Sequence, residues 1–196
     1  MNDIATQEKW DRIYAAADKP PQTVCRVLEE NAHLLPAKGT ALDLACGLGA
    51  NAFFLAENGL KTLGWDISPV AVRRVEEWAQ QRKLPVQAEV RDVLVDPLLQ
   101  EEFDVIVVAH FLDRSLVPHL INALRPGGLL FYQTFTRNKL TASGPSNAEF
   151  LLSENELLRL FAPLSALVYR DEGRVGDITR GMRSEAMLVA QKAVRR

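Results

Sequence analysis

Length, composition and charge already exclude several classes for this chain of 196 residues. Hydrophobic residues make up 47% and charged residues 24%, which is ordinary for one folded domain with a full core and short for two. The formal net charge of −2 comes from 23 basic and 25 acidic residues. This near-balance argues against a protein held on nucleic acid by a general positive field.

The N-terminal region and the cysteines indicate the compartment. The first residues include several acidic side chains and no continuous apolar stretch, so we expect no signal peptide and no membrane anchor. Cys25 and Cys46 lack the paired spacing of a zinc site or a disulfide framework. We therefore predict a cytoplasmic protein without a metal, a monomer or homodimer, with one domain over residues 1–196.

Short apolar runs typical of strands alternate with helical patterns along the chain. Gly59 is expected to end the first helix. Ser68 and Pro69 are expected to begin the second, as its N-cap and its first helical residue. Ser153 and Glu156 fit a capping box. The predicted strands are 40–45, 61–66, 86–90, 103–109, 129–135, 164–170 and 184–191. The predicted helices are about 50–58, 68–83, 113–124 and 153–161, with a turn at 125–128.

This alternation predicts the topology. Strands separated by helices pair in parallel through right-handed crossovers, with helices on both faces of the sheet. The last two predicted strands have no helix between them, so the final strand should run antiparallel. We predict an α/β fold with a doubly wound, mostly parallel sheet of seven strands. A ligand should bind outside the carboxyl ends of its strands.

A turn of small residues follows the first predicted strand. Small residues let a backbone approach a ligand closely, and the helix that follows offers free N–H groups. The turn alone allows two interpretations. Gly47, Gly49 and Ala52 fit the dinucleotide pattern G-x-G-x-x-A, with Asp66 about 20 residues downstream to hold a ribose. The same glycines, preceded by Asp43, also fit D-x-A-x-G-x-G.

The second pattern resembles the first motif of the class I S-adenosylmethionine-dependent methyltransferases. In that family an acidic residue near the strand end precedes the glycines, and Asp43 fills this place. Gly47 and Gly49 match the motif, whereas Ala45 replaces the usual first glycine. The resemblance implies that Asp43, Ala45, Gly47, Gly49 and Asn51 bind the cofactor.

The ends of the next strands resemble the same family. The acid after its second strand binds both ribose hydroxyls, and the acid after its third lies beside the adenine amino group. A carboxylate suits these tasks because it accepts hydrogen bonds and donates none. The resemblance therefore implies further cofactor contacts at Asp66, Ile67, Asp92 and Val93, and at Ala109 on the end of the fourth strand.

The resemblance extends over roughly residues 38–192, because 103–108 and 124–129 are similar to the family's fourth strand and the entry to its fifth. It implies a Rossmann-like methyltransferase fold, S-adenosyl-L-methionine as cofactor, and methyl transfer. Within 135–152, the segments Phe-Thr-Arg-Asn, Gly-Pro-Ser-Asn and Glu-Phe-Leu-Leu resemble small bacterial methyltransferases of the tellurite-resistance type.

Four residues are candidates for acting on the acceptor. His110 follows the fourth strand, and an imidazole nitrogen can accept a proton, so it is the candidate catalytic base. Residues 137–152 exceed a typical connection of about 4–6 residues and form a candidate acceptor loop, in which Arg137 suits an anion. Residues 1–36 are predicted to form a helical lid. Within it, Trp10 and Tyr14 share a helix face and are candidate substrate contacts, or pack against the sheet.

Three other functions are alternatives to this interpretation of the sequence. A nicotinamide-dependent oxidoreductase would usually show a tyrosine–lysine pair near a strand end, which this sequence lacks. Many nucleic-acid methyltransferases carry an Asn- or Asp-Pro-Pro-aromatic run, whereas residues 109–112 read Ala-His-Phe-Leu. A non-catalytic cofactor-binding module is the third. The sequence favours in-line methyl transfer from S-adenosylmethionine to an unidentified small-molecule acceptor.

Overall fold

The computed structural model describes residues 4–96, 98, 100–140, 142 and 144–194. Residues 1–3 of the predicted lid lie outside the described residues, as do Thr141 and Ser143 of the predicted acceptor loop. Among the helices of the described residues, none is both long and apolar enough to cross a membrane.

Within the described residues, seven strands form one sheet, flanked by helices on both faces. The strands are β1 (Gly39–Leu44), β2 (Leu60–Asp66), β3 (Val86–Val90), β4 (Phe103–Ala109), β5 (Leu124–Phe135), β6 (Ser165–Arg170) and β7 (Glu185–Gln191). The helices are α1 (Ile4–Ala15), α2 (Arg26–Glu29), α3 (Ala50–Glu57), α4 (Pro69–Arg82), α5 (Val117–Ala123) and α6 (Glu156–Leu160). Short 3-10 helices occupy Ala32–Leu34, Arg114–Leu116 and Ala148–Phe150.

The strand order is β3-β2-β1-β4-β5-β7-β6. The pairs from β3 through β5 are parallel, and β7 runs antiparallel to both of its neighbours. The order reverses at β1, so the carboxyl ends of β1 and β4 face a topological switch point. The predicted α/β fold, with its antiparallel last strand, is confirmed.

Apolar side chains alternate along the central strands and build a core on each face. Leu42 of β1 and Ile106 of β4 belong to the cluster that includes side chains of α5 and α6. On the other face, Val107 and Phe131 belong to the cluster with side chains of α2 and α3. Because successive residues of a strand point to opposite faces, this central sheet is buried from both sides.

The predicted start of α4 is confirmed in detail. Ser68 Oγ accepts a 3.2 Å hydrogen bond from the N–H of Ala71, and Pro69 is the first helical residue. Lys83 ends the helix in the left-handed conformation, with φ of 55°. The buried side chains recur at helical spacing: Ala71, Val72, Val75, Trp78 and Ala79.

The predicted helix 113–124 is shorter than expected. Asp113 caps a 3-10 turn through Ser115 (N–H to Oδ1, 2.9 Å), and the α-helix begins only at Val117. Leu124 pairs with Phe103, so β5 begins five residues before the predicted strand 129–135. Residues 125–128 therefore belong to the strand, which has a register break there instead of the predicted turn.

Only half of the predicted capping box at Ser153 forms. The N–H of Ser153 donates to Glu156 Oε2 at 2.6 Å, as such a box requires. The Ser153 hydroxyl donates to the same carboxylate at 2.9 Å. Asn155 adopts the left-handed conformation, with φ of 55°, so α6 begins at Glu156.

Candidate functional site

The turn after β1 brings backbone close to two neighbouring helices. Ala45, Gly47 and Gly49 have φ values of 56°, 53° and 82°. A Cβ atom on Gly49 would lie 2.9 Å from Val75 Cγ2 in α4, so packing between helices requires a glycine there. A Cβ atom on Gly47 would lie 3.0 Å from Tyr14 Oη. The turn thus leaves no room for a side chain at Gly47 or Gly49, and at Gly47 its backbone faces Tyr14 of α1.

Asp43 lies near the end of β1 and is buried. Its Oδ2 accepts a 3.0 Å hydrogen bond from the N–H of Ala52, whereas Oδ1 accepts none from the described residues. Burial raises the pKa of Asp43 to about 7. Asn51 is also buried, and its Oδ1 accepts from the N–H of Cys25 at 3.0 Å.

Asp66 ends β2 and binds the glycine turn. Its Oδ2 accepts from the N–H of Gly47 at 2.8 Å, and its Oδ1 accepts from the N–H of Ser68 at 2.9 Å. Burial raises the pKa of Asp66 although both hydrogen bonds oppose that shift. The structure therefore joins the first two motifs into one site.

Helix α1 lies over this site. Asp11 Oδ1 accepts hydrogen bonds from the Ser68 hydroxyl and, at 3.4 Å, from the N–H of Val70. The Trp10 and Tyr14 rings stack with centroids 5.5 Å apart. Burial and the nearby Asp66 charge raise the pKa of Tyr14. These contacts place the end of α1 against the turn and the start of α4.

A groove of about 230 Å³ lies beyond the ends of β2 and β3. Ile67 and Asp92 line it, and Asp92 Oδ1 also accepts from the N–H of Leu94 at 3.1 Å. Val93 points away from the groove into the core. A larger cavity, about 470 Å³, lies between residues 19–24 and α3 and is lined by none of the predicted site residues.

His110 follows Ala109 at the carboxyl end of β4, with a φ of 56°. Its side chain is 45% exposed, and its Nε2 lies 3.2 Å from Glu185 Oε1. Its ring packs on Phe135, with centroids 4.9 Å apart. Sequence reasoning missed Glu185, which lies 75 residues away along the chain and reaches the site only through the pairing of β7 with β5.

The candidate acceptor loop lies beside His110. Arg137 is exposed, and its N–H donates to the carbonyl of Leu152 at 2.9 Å. A Cβ atom on Gly144 would lie 2.7 Å from the Phe135 ring, so the loop packs directly on the ring that contacts His110.

Arg114 anchors this loop and was also missed from sequence. Its guanidinium binds Glu156 at 2.6 Å and donates to the carbonyls of Glu149 and Leu151 at 2.5 and 3.2 Å. Burial alone would raise the pKa of Glu156, but its hydrogen bonds to Arg114 and Ser153 lower that pKa to about 2. The loop is thereby tied to α6.

A family model described as a methyltransferase domain matches residues 41–128. This segment contains the glycine turn, β2, β3 and β4, and thus the positions of all the predicted cofactor contacts.

Three relatives also align with parts of this chain. The chain is 34% identical to hemagglutinin 1 of Eikenella corrodens over 66% of this chain and 45% of that protein. It is 31% identical to phosphoethanolamine N-methyltransferase 1 of Triticum aestivum over 56% of this chain and 23% of that protein. It is 27% identical to the "Probable S-adenosyl-L-methionine-dependent methyltransferase TehB" of Haemophilus influenzae over 66% of this chain and 47% of that protein.

The alignments therefore span less than half the length of each of these three relatives. The crystal structure of TehB from Haemophilus influenzae shares the fold, with a TM-score of 0.68 at 21% identity over 95% of this chain and 66% of that chain. The predicted resemblance is confirmed at this level: residues 41–128 match a methyltransferase domain, and a probable S-adenosyl-L-methionine-dependent methyltransferase is among the relatives of the chain.

Proposed function

We propose that this chain transfers a methyl group from S-adenosylmethionine to a small-molecule acceptor. One observation carries the proposal: Asp43 Oδ1 is buried without a hydrogen-bond donor among the described residues, beside the tight turn at Gly47. A buried carboxylate oxygen without a partner is costly. The ammonium group of S-adenosylmethionine is a hydrogen-bond donor and would supply that partner if the cofactor is held against the turn.

The residues at the strand ends fit the rest of the cofactor. Asp66 already accepts one backbone hydrogen bond on each oxygen, and each oxygen has a further lone pair for a ribose hydroxyl. Ile67 and Asp92 line the groove where an adenine would bind. Ala45 and Gly49 lie in the turn, Asn51 lies in the first turn of α3, and Ala109 ends β4, the strand that pairs with β1. The Val93 side chain would support the site from the core and would not contact the cofactor itself, because it is buried there.

S-adenosylmethionine supplies a methyl group that is already activated by a positively charged sulfur. A lone pair on the acceptor forms the new bond to carbon in line with the carbon–sulfur bond, which breaks with its electron pair on sulfur. The chain's contribution is alignment and the exclusion of water. His110 is the base that takes the acceptor's proton, because its exposed ring lies at the carboxyl end of the sheet.

Two segments enclose the reaction in this proposal. In the predicted lid, residues 1–36, helix α1 covers the turn through Tyr14, which stacks on Trp10, and is held to α4 by Asp11. The acceptor loop of residues 137–152 covers the His110 side and carries Arg137 for an anionic group. Both belong to a single domain, residues 1–196.

A small acceptor is supported by charge and by one relative. The formal net charge of −2 gives no general attraction to nucleic acid. Phosphoethanolamine N-methyltransferase 1, a relative in sequence, is named for a small molecule. We therefore expect transfer to a metabolite rather than to a macromolecule.

The test combines ligand binding with a transfer assay. S-adenosylhomocysteine should raise the melting temperature of the chain, whereas NAD should leave it unchanged. Labelled methyl from S-adenosylmethionine should then appear in a small molecule of a metabolite extract, and an Asp66→Asn variant should transfer much less of it at low cofactor concentration. Stabilisation by NAD alone would show a nicotinamide enzyme instead.

A further inference from the structure

Three polar contacts connect α2 to His110 through side chains of β5 and β7. The N–H of Val27 donates to Gln133 Oε1 at 2.8 Å. Gln133 Nε2 donates to Glu185 Oε2. The other carboxylate oxygen, Glu185 Oε1, lies 3.2 Å from His110 Nε2. The polar side chains thus form a continuous chain that ends at the candidate base.

The direction of each hydrogen bond in this series is fixed by which atoms can donate and which can accept. A backbone N–H can only donate, so the atom of Gln133 that faces Val27 must be the amide oxygen. The amide nitrogen then faces Glu185, whose ionised carboxylate can only accept. Gln133 is buried, with 3% of its surface exposed, so the middle of this arrangement is enclosed by protein.

We propose that Glu185 is a positioning residue that holds neutral His110 as the Nε2–H tautomer, so that Nδ1 is the nitrogen that accepts the acceptor's proton. A carboxylate that only accepts requires Nε2 to carry the hydrogen, which leaves a lone pair on Nδ1. The inference rests on the proposed function for the step itself, because it assigns the atom that receives the proton.

The surroundings favour this arrangement. Burial alone would raise the pKa of Glu185, but its hydrogen bonds to His110 and Gln133 outweigh burial and lower it, so the carboxylate stays ionised. Two other titratable groups face Glu185: the Arg26 guanidinium attracts its charge, and the Cys25 thiol is buried nearby. Phe135 packs against the His110 ring and restricts its rotation.

The backbone at His110 adds a further constraint. Its N–H donates to the carbonyl of Gln133 at 2.8 Å, and its φ of 56° is uncommon for a residue other than glycine. Such conformations concentrate at functional sites, where the surrounding structure maintains them. His110 is therefore held by its backbone, by Phe135 and by Glu185.

The arrangement defines a class of acceptor. The proton leaves the acceptor atom for His110 Nδ1 as that atom's lone pair forms the bond to the methyl carbon. The imidazolium formed lies beside the negative charge of Glu185, and the exposed side of the ring returns the proton to water. The acceptor atom must therefore carry both a hydrogen and a lone pair, as in a hydroxyl, a thiol or a neutral amine.

Nitrogen NMR of the ligand-free chain labelled with ¹⁵N-histidine tests the inference directly. The chain has three histidines, so a His110→Asn variant identifies the signals of His110. Two-bond nitrogen–hydrogen correlations should show the Nε2–H tautomer in the unmodified chain. The Nδ1–H tautomer or an even mixture would overturn the proposal.

The Glu185→Gln variant should reverse the tautomer. Gln133 still presents a donor, so the new side chain must turn its oxygen toward Gln133 and its NH₂ group toward His110. His110 Nε2 then becomes an acceptor, and Nδ1 carries the hydrogen. Glu89→Gln, at an exposed position of β3, is the matched control and should leave the tautomer unchanged. An unchanged tautomer in Glu185→Gln would contradict the proposal.

Two further measurements separate this inference from the proposed function. Glu185→Gln should bind S-adenosylhomocysteine as the unmodified chain does, and its kcat should fall about 100-fold, the size of a general-base contribution. An unmodified chain that does not bind the nucleoside would defeat the proposed function, while the tautomers would still decide the role of Glu185. Full kcat in Glu185→Gln would overturn the positioning role.

Discussion

Gly47 and Asp66 are joined by a hydrogen bond of 2.8 Å from the backbone N–H of the glycine to Oδ2 of the carboxylate. This bond connects the turn after β1 to the end of β2, across two parallel strands of the sheet. The turn and the acid therefore behave as one unit. A change to either residue should affect the binding of a ligand that contacts both.

Replacing Asp66 by Asn should weaken S-adenosylhomocysteine binding by about 10- to 100-fold, the equivalent of about 1.5–3 kcal/mol for a charged hydrogen-bond partner. An amide has one oxygen to serve the N–H groups of Gly47 and Ser68, and its NH₂ group cannot accept. Isothermal titration calorimetry measures the change.

The same substitution at Asp104 is the matched control. Asp104 accepts from the N–H of Thr40 at 2.8 Å and binds Arg125 at 2.7 Å, at the amino end of the sheet. Asp104→Asn should therefore leave the affinity for the nucleoside within about twofold, well under the tenfold that 1.4 kcal/mol gives. Equal losses in the two variants would contradict a site at the carboxyl ends.

Ala45→Gly should be tolerated. Ala45 has a φ of 56°, a left-handed conformation that costs a residue with a Cβ atom about 1–2 kcal/mol. Glycine relieves this cost but gains freedom in the unfolded chain worth about 0.4–1 kcal/mol. Urea unfolding should give an unchanged or slightly higher free energy of unfolding.

Gly47→Ala should behave in the opposite way. Its φ is 53°, and the added Cβ atom would lie 3.0 Å from Tyr14 Oη. We expect lower stability and weaker nucleoside binding in the same assays. A stable Gly47→Ala variant with unchanged binding would show that the turn does not form a tight backbone cradle.

The stability of the folded chain should depend on pH through Asp43. Burial raises its pKa to about 7, from about 3.9 in an unfolded chain. The folded chain therefore retains a proton that the unfolded chain loses, and the free energy of unfolding should fall as pH rises between these values. The raised pKa of Asp66 acts in the same direction.

A cationic ligand favours the ionised carboxylate, so its binding should release a proton. The affinity for S-adenosylmethionine should rise up to about tenfold per pH unit below the pKa of Asp43 and level off above it. Calorimetry in two buffers of different ionisation enthalpy detects the released proton. Asp43→Asn should flatten the profile, and a flat profile in the unmodified chain would count against the role of Asp43.

Trp10 should report the lid. Its ring stacks on Tyr14 at 5.5 Å, so a ligand that moves Tyr14 from the turn should change Trp10 fluorescence. Trp10→Phe should abolish the change, whereas Trp78→Phe, a change in the buried core beside α4, should preserve it. If the Trp10→Phe variant shows the same fluorescence change on ligand binding, the signal does not come from Trp10 and the support for a lid is lost.

Elements with consistent local signals were predicted well. In α4 the capping serine, the first-turn proline and the spacing of apolar residues all indicate the same helix. At α5 the local helical pattern competes with tertiary contacts. Leu124 pairs with Phe103 and Arg125 binds Asp104, and these contacts extend β5 at the expense of the helix. Such tertiary contacts leave no trace in a local pattern.

The residues of the candidate site also divide into those that the sequence predicts and those that only tertiary contacts bring together. The positions of Asp43, Asp66 and His110 at strand ends follow from topology, and their roles stay predictions. Glu185 and Arg114 were not predicted because their partners lie 75 and 42 residues away. Only the pairing of β7 with β5 and the packing of the 137–152 loop bring them to the site.

Calorimetric titration of the folded chain with S-adenosylhomocysteine tests the central claim most directly. A cradle formed by the turn at Gly47 and the acids at Asp43 and Asp66 predicts saturable binding of one nucleoside per chain, with no heat of binding from NAD. A folded chain that gives no saturable heat with this nucleoside would contradict the account.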